Sequence, residues 1–261
     1  MDRRDSEFLD AQQKELEAQG YRVVHIRNAG GSAKDTQKII QSAIEHAKEE
    51  NAPADSILFE PHNTCGAVGF AKKVAEGSMT LADPSKAYAT AQKHFVDGLK
   101  AQGGEIDDAK NYAMGLEDIR QILKELGLED KIKVTSNHID VNKQNVPKEE
   151  GHPEHPLILN IGESVDRAKF TREHGLSNNY SAYWLEFPKL TSTNTAAILN
   201  NIGASTDIAL RAGLTHGVWL VATNDNAESV GKIEQWFKKE FPTEHIHRFD
   251  YSTTQTKTKV V

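Results

Sequence analysis

The chain has 261 residues, 38% of them hydrophobic and 26% charged, which is typical of a folded globular protein. Its formal net charge of −7 argues against nucleic acid or an anionic membrane surface as a partner, and no apolar run approaches the ~20 residues of a membrane span. The single cysteine excludes a disulfide within this sequence and, with a charged start that lacks the apolar core of a secretory signal, predicts a cytoplasmic protein.

The first predicted elements alternate between strand and helix. Branched apolar residues at 21–26 predict a strand, which the segment Asn28-Ala29-Gly30-Gly31 ends in a turn. Apolar residues recur at helical spacing from 39 to 47, and Pro53 lies just beyond the end of that helix. A short buried strand is predicted at 56–59. The residues directly after it therefore lie at its carboxyl end, where parallel sheets bind ligands.

The rest of the chain continues this alternation with less regular spacing. Residues 71–115 are predicted as helix or loop, and residues 142–156 as a polar loop or insertion. Further helices are predicted at 119–126 and 230–237, and further strands at 132–134, 157–161, 217–222 and, at a sheet edge, 245–249. Strands that alternate with helices are typical of a parallel sheet with crossover helices. We therefore predict a single α/β domain over residues 1–261, with a mainly parallel central sheet and flanking helices.

His62 and Cys65 are the first candidates for chemistry. They stand three positions apart, directly after the strand predicted at 56–59 and before the glycine that opens a helix. Zinc accepts both imidazole nitrogen and thiolate sulfur, and a helix N-terminus favours the thiolate. A lone cysteine, however, is more often a small buried hydrophobic group, and a lone histidine a hydrogen-bonded core group. Residue chemistry alone leaves both interpretations open.

The sequence around this pair resembles the β-class carbonic anhydrases. The segment Arg27-Asn28-Ala29-Gly30 is followed, after a predicted helix and strand, by His62-Asn63-Thr64-Cys65-Gly66-Ala67. That family shows an R-N-A-G segment, a helix, a strand and H-x-x-C-G-A in the same order and at similar spacing. Its third hallmark, C-x-D-x-R, is matched by Asp2 and Arg4 without the cysteine, which would fall one position before Met1. The resemblance covers about residues 1–75.

The resemblance implies a function and a set of roles. It implies the family's fold, a Zn²⁺ ion held by His62 and Cys65, and reversible hydration of CO₂ to bicarbonate by a homodimer. Asp2 would accept a hydrogen bond from the activated water and gate the metal, and Arg4 would orient Asp2. Without the family's first cysteine, two strong ligands are too few for a tight catalytic zinc site. We expect either that the sequence starts at an internal methionine or that a relative has lost the site.

Three functional interpretations stay open at this point. The first is a zinc lyase that interconverts CO₂ and bicarbonate. The second is a non-catalytic relative, a binding or scaffold protein with an incomplete zinc site, and the third is a zinc hydrolase of another small linear molecule such as carbon disulfide. Among the other histidines, His152 and His155 favour an exposed loop, and His245 and His247 would share one face of an edge strand with little metal-binding potential.

The zinc hypothesis makes two structural predictions. The His62 ring and the Cys65 sulfur should lie within about 4 Å of each other, at the carboxyl ends of parallel strands formed by residues 21–26 and 55–60, because both would bind one metal ion. Arg27, at the end of the first of these strands, should pack beside the same site.

Overall fold

The computed structural model describes residues 6–28, 33–143, 155–162, 165–176, 182–215, 217–223 and 226–251. Parallel strands flanked by helices confirm the predicted α/β class. The helices are α1 Ser6–Ala18, α2 Ala33–Glu49, α3 Gly66–Ala75, α4 Ala89–Ala101, α5 Asp108–Glu125, α6 Arg167–Glu173, α7 Thr195–Arg211 and α8 Ala227–Glu240. The strands are β1 Ser56–Phe59, β2 Lys133–Ser136, β3 Leu157–Ile161, β4 Tyr183–Phe187, β5 Val218–Ala222 and β6 Ile246–Asp250.

The described strands form two parallel sheets, where the sequence predicted one central sheet. One sheet has four strands in the order β4-β3-β5-β6, and the other pairs β1 with β2. Every residue of β3 is buried, since β3 lies between β4 and β5 and has helices on both faces. Leu157 and Leu159 pack with residues of α7 and α8, whereas Ile158 packs with Phe170 of α6. A nearly continuous apolar run is what such a strand requires.

Among the described residues, helices cover the two-stranded sheet on one face only. Ile57 and Phe59 of β1 pack with Ile119 and Ile122 of α5, while Leu58 points away and is 40% exposed. The approach of α5 depends on Gly115, where an added Cβ would lie 2.4 Å from the Phe59 ring. The sheet is therefore narrow and closely packed against α5, with an open outer face.

The prediction of a strand at residues 21–26 is wrong. That segment carries no strand, and Tyr21 and Val24 remain largely exposed. Only Arg27, the residue that follows, forms ladder hydrogen bonds, to Glu186 of β4. The branched residues match strand propensity, but a strand also requires a neighbour along its length, and the described residues provide one at a single position.

The other predicted strands are confirmed within a residue or two at their ends, and β6 lies at a sheet edge as expected. The 71–115 region contains α3, α4 and the start of α5. Residues 144–154 of the predicted insertion lie outside the described residues. No helix in the described ranges is long and apolar enough to cross a membrane.

Candidate functional site: the His62–Cys65 turn

The segment that carries His62 continues the β1–β2 ladder past the ends of both strands. Ile139 N–H donates to the Pro61 carbonyl at 2.9 Å, and Asn63 N–H donates to the Ile139 carbonyl at 3.1 Å. His62 thereby forms a parallel bridge with Ile139. Because the ladder fixes the backbone up to Asn63, the turn that follows lies at the carboxyl end of β1, as the sequence predicted.

The turn contains one strained residue, Thr64. Its φ of +53° lies in the left-handed region, which is unfavourable for a β-branched side chain. The Asp108 carboxylate holds this conformation, because it accepts hydrogen bonds from Thr64 N–H at 2.8 Å and Cys65 N–H at 3.2 Å. Strain of this kind persists only where surrounding contacts hold it, and it is concentrated at functional sites. The turn is therefore a candidate site on structural grounds alone.

The Asn63 side chain ties the turn to the segment after β2. Its Nδ2 donates to Asp140 Oδ1 at 2.7 Å, and its Oδ1 accepts from Val141 N–H at 2.9 Å. The amide hydrogen bond holds the pKa of Asp140 below its usual value, so this carboxylate stays ionised as an acceptor. Both ends of the Asn63 amide are used, and the residue before the strained turn is fixed in position.

The orientation of the His62 ring follows from one hydrogen bond. His62 Nδ1 lies 3.0 Å from the Asn63 carbonyl oxygen, and the residue is 4% exposed. A carbonyl can only accept, so Nδ1 carries a proton. Nε2 is therefore the ring nitrogen left to contact the Cys65 sulfur or, when it carries no proton, to bind a metal.

Cys65 ends the turn, at the N-cap position of α3, and is 6% exposed. Burial raises the pKa of its thiol. The causes that act in the opposite direction include a hydrogen bond from the His62 side chain, the positive charge of that side chain and a hydrogen bond from Val68 N–H, and the pKa is about 7, below the usual 9.0. The His62 and Cys65 side chains thus interact through a hydrogen bond. Cys65 therefore forms a thiolate more readily than an ordinary cysteine.

Arg27 of the R-N-A-G segment belongs to a buried cluster of charges. Its guanidinium Nη1 lies 3.7 Å from Glu186 Oε2, and the same oxygen contacts Arg167 Nη2. Arg167 Nη1 pairs with Asp10 of α1. Beside the cluster, His25 contacts Gln13 at 2.8 Å, and burial lowers the pKa of His25 to about 4. Arg27 is therefore buried, and its described ion-pair partner lies on β4.

The described residues bring together two of the predicted site residues. No group of three histidine, cysteine or acidic side chains that could hold a metal ion occurs in the part of the chain that the structure describes. Asp2, Arg4 and the Ala29-Gly30 part of the R-N-A-G segment lie outside it. His155, predicted on an exposed loop, is instead 7% exposed because its backbone joins the start of β3 and its ring packs edge-on against Tyr183.

Sequence reasoning missed the residues that hold the site in place. Asp108 carried a signal, since it opens a helix and adjoins a capping aspartate, Asp107, but nothing local relates it to Thr64. Asn63 stood inside the motif without an assigned role. Arg167 and Glu186 gave no signal as a pair, because they come from α6 and β4 and meet only in the folded chain.

The chain matches no family model, no curated protein and no solved structure. What defines it is an α/β fold with parallel sheets and, at the carboxyl end of a parallel strand, a buried and hydrogen-bonded His–Cys pair on a strained turn.

Proposed function

We propose that the chain is a zinc-dependent lyase of the β-class carbonic anhydrase type, which interconverts CO₂ and bicarbonate. The observation that carries the proposal is the contact between the His62 and Cys65 side chains at the carboxyl end of β1, with a thiol pKa of about 7. The R-N-A-G and H-x-x-C-G-A segments and the x-D-x-R start support the same function.

The donor atoms fit zinc chemically. Zinc binds thiolate and neutral imidazole. The lowered thiol pKa favours the thiolate, and the contact of Nδ1 with the Asn63 carbonyl leaves Nε2 as the ring nitrogen that would bind zinc. Zinc-binding histidines typically donate their other ring N–H to a carbonyl or carboxylate, as His62 Nδ1 does to the Asn63 carbonyl. Bound zinc would supply the Lewis acidity that activates water towards CO₂ at neutral pH.

The chain's own residues would divide the remaining work. Cys65 loses its thiol proton near neutral pH, and His62 presents Nε2 while Asn63 fixes its ring. Asp108 keeps both residues on one strained turn through the two backbone hydrogen bonds. By resemblance, Asp2 completes the donor set as a weak ligand and gate, and Arg4 orients it. A homodimer and a cytoplasmic location belong to the same proposal.

Zinc binding and CO₂ hydration test the proposal together. We expect the chain to bind zinc weakly, with less than one ion per chain after purification, because two strong ligands and Asp2 hold the metal poorly. Inserting one cysteine directly before Met1 recreates C-x-D-x-R and should bring zinc to one per chain and raise CO₂ hydration strongly. In that extended chain, Cys65→Ser or His62→Ala should abolish both, whereas His247→Ala, an exposed histidine on β6, should change neither.

The outcomes separate the alternatives. An extended chain that stays free of zinc and inactive would contradict the lyase and favour a scaffold protein. Stoichiometric zinc without CO₂ hydration would favour a hydrolase of another small linear molecule. Asp2→Asn in the extended chain should keep the metal but slow turnover, because the hydrogen-bond acceptor is lost while the strong ligands remain.

A further inference from the structure

Arg167 of α6 links the four-stranded sheet to the helix that lies against the candidate site. That helix, α1, packs Leu9 with Ile139 and Val141, the two residues that bond to the backbone or side chain of Asn63 in the turn. On the next turn of α1, Gln12 Nε2 donates to Glu60 Oε1 at 2.8 Å. α1 therefore touches the site region through one apolar and one polar contact.

α1 has little apolar surface with which to fix its own position. In the described part of the helix only Ser6 and Leu9 are buried. A free helix of this length, 13 residues, is marginal in water, and most helices in proteins are stabilised by packing an apolar face. The position of α1 must therefore depend on its polar contacts more than is usual for a helix.

The strongest of these polar contacts comes from the first residue of α6. Arg167, with a side chain that is 1% exposed, reaches Asp10 of α1 with one guanidinium nitrogen and Glu186 of β4 with the other. The backbone of Glu186 pairs in both directions with Arg27. Arg167 thus joins α1 to β4, two elements that do not follow each other in the chain.

A gain in stability does not by itself explain why these charged side chains are buried. In the described residues, Arg167 Nε and Glu186 Oε1 are buried without a hydrogen-bond partner. Replacing a buried ion pair by apolar side chains of similar volume is often neutral or stabilising, so such pairs are weak evidence for stability, and fixing one arrangement of the elements is the alternative use. Here the elements that the charges join are α1, α6 and β4.

We propose that Arg167 is a positioning residue for the candidate metal site, because through Asp10 it holds α1 against the segment that fixes the His62–Cys65 turn. The proposal rests on the proposed function, since it assigns the consequence to metal binding. It assigns α6 and, through Glu186 of β4, the four-stranded sheet a part in a site whose candidate ligands all lie in the first 75 residues.

The test combines hydrogen exchange with zinc affinity in Arg167→Met, measured on the full chain that carries the added cysteine. We expect amide exchange in α1 to rise at least about tenfold, and zinc affinity to fall about 10- to 100-fold, the range seen when groups behind a metal ligand are lost. Asp10→Asn, which keeps the shape and removes the charge, should give the same pattern more weakly. Asp10→Glu, which keeps the charge, should show smaller changes in exchange and in zinc affinity than Asp10→Asn.

Asp166→Ala is the matched control. It removes the N-cap of the same helix, where the Asp166 carboxylate accepts from Lys169 N–H at 2.9 Å, and leaves the Arg167–Asp10 contact in place. It should destabilise α6 without changing exchange in α1 or zinc affinity.

If Arg167→Met and Asp10→Asn leave exchange in α1 unchanged, the positioning role is overturned whether or not zinc binds. If exchange rises but zinc affinity stays the same, α1 is positioned without consequence for the site, and the proposal is also overturned. If the chain that carries the added cysteine and no further substitution fails to bind zinc, the proposed function is contradicted instead.

Discussion

The two sheets differ in what holds them together. In the four-stranded sheet, β3 is buried along its whole length and its apolar side chains pack against helices on both faces. In the two-stranded sheet, β1 alternates between partly buried and exposed residues, and the turn after it is held by the side chains of Asp108 and Asn63. Apolar burial therefore stabilises one region, while hydrogen bonds fix the geometry of the other.

The comparison indicates that the two sheets have different structural roles. A sheet buried on both faces tolerates little change and provides a rigid platform. A small sheet with a hydrogen-bonded, strained turn can hold reactive side chains in an orientation that packing alone would not select. Substitutions in the two regions should accordingly differ in size and in kind.

The largest expected difference in stability comes from a leucine-to-alanine substitution made once in each sheet. Leu159→Ala in β3 should lower the free energy of unfolding by about 2–5 kcal/mol, because the side chain is 1% exposed and would leave a cavity. Leu58→Ala in β1, on the open face, should cost less than about 1 kcal/mol. Denaturant unfolding of both variants measures the difference. Equal losses would contradict the contrast between the sheets.

The pH dependence of stability reports on the buried charge cluster. Burial lowers the pKa of His25 to about 4 from 6.5, so the unfolded chain binds a proton in a range where the folded chain does not. The contribution of neutral His25 to the free energy of unfolding is therefore fully present above pH 6.5. As the pH falls towards 4 it is lost, and the free energy of unfolding decreases by at most about 3 kcal/mol. His25→Gln should reduce the slope of stability against pH in that window. An unchanged slope would show that His25 is not held neutral in the folded chain.

The contact between β1 and α5 can be tested with a pair of glycines. Gly115→Ala should destabilise by about 1–3 kcal/mol, because the new Cβ would overlap the Phe59 ring. Gly69→Ala, within α3 and with no atom near the new Cβ, should stabilise by about 0.5–1 kcal/mol through helix propensity. Thermal unfolding of the two variants should therefore shift in opposite directions. A shift in the same direction would mean that α5 does not approach β1 so closely.

The strained turn should give the smallest effect on stability. Thr64→Gly removes a β-branched residue from φ +53° and should raise stability by up to about 1 kcal/mol, since the relieved strain exceeds the added flexibility of the unfolded chain. The thiol pKa of Cys65 should rise in this variant, because the turn no longer holds Cys65 so firmly against His62. Thiolate absorbance against pH measures it, with Thr195→Gly in α7 as the control that should lose stability and leave the thiol unchanged.

Much of the fold was predictable because its strands are short apolar runs. β3 and β5 are buried on both faces, and their sequences show it. β4 was missed because Glu186, a charged residue, stands in the middle of a buried strand and breaks the apolar pattern. The strand expected at 21–26 failed for the opposite reason, since favourable residues found no continuous partner.

The candidate site divides in the same way. His62 and Cys65 were found because three positions and a preceding strand make a local pattern. The Asp108 carboxylate accepts a hydrogen bond from the Cys65 backbone N–H across 43 positions of the chain. Because the donor is a backbone group, the residue types do not indicate this contact. The contact between Asp10 and Arg167 spans 157 positions, and charges at such a separation show no pairing before the chain is folded.

The most direct test of the central claim is X-ray absorption at the zinc edge of the zinc-loaded chain. If His62 and Cys65 bind one metal ion, the spectrum should show one sulfur at about 2.3 Å and nitrogen or oxygen ligands at about 2.0–2.2 Å. Cys65→Ser should remove the sulfur signal, and the added cysteine before Met1 should double it. A zinc ion surrounded only by nitrogen and oxygen, with Cys65 intact, would contradict the account.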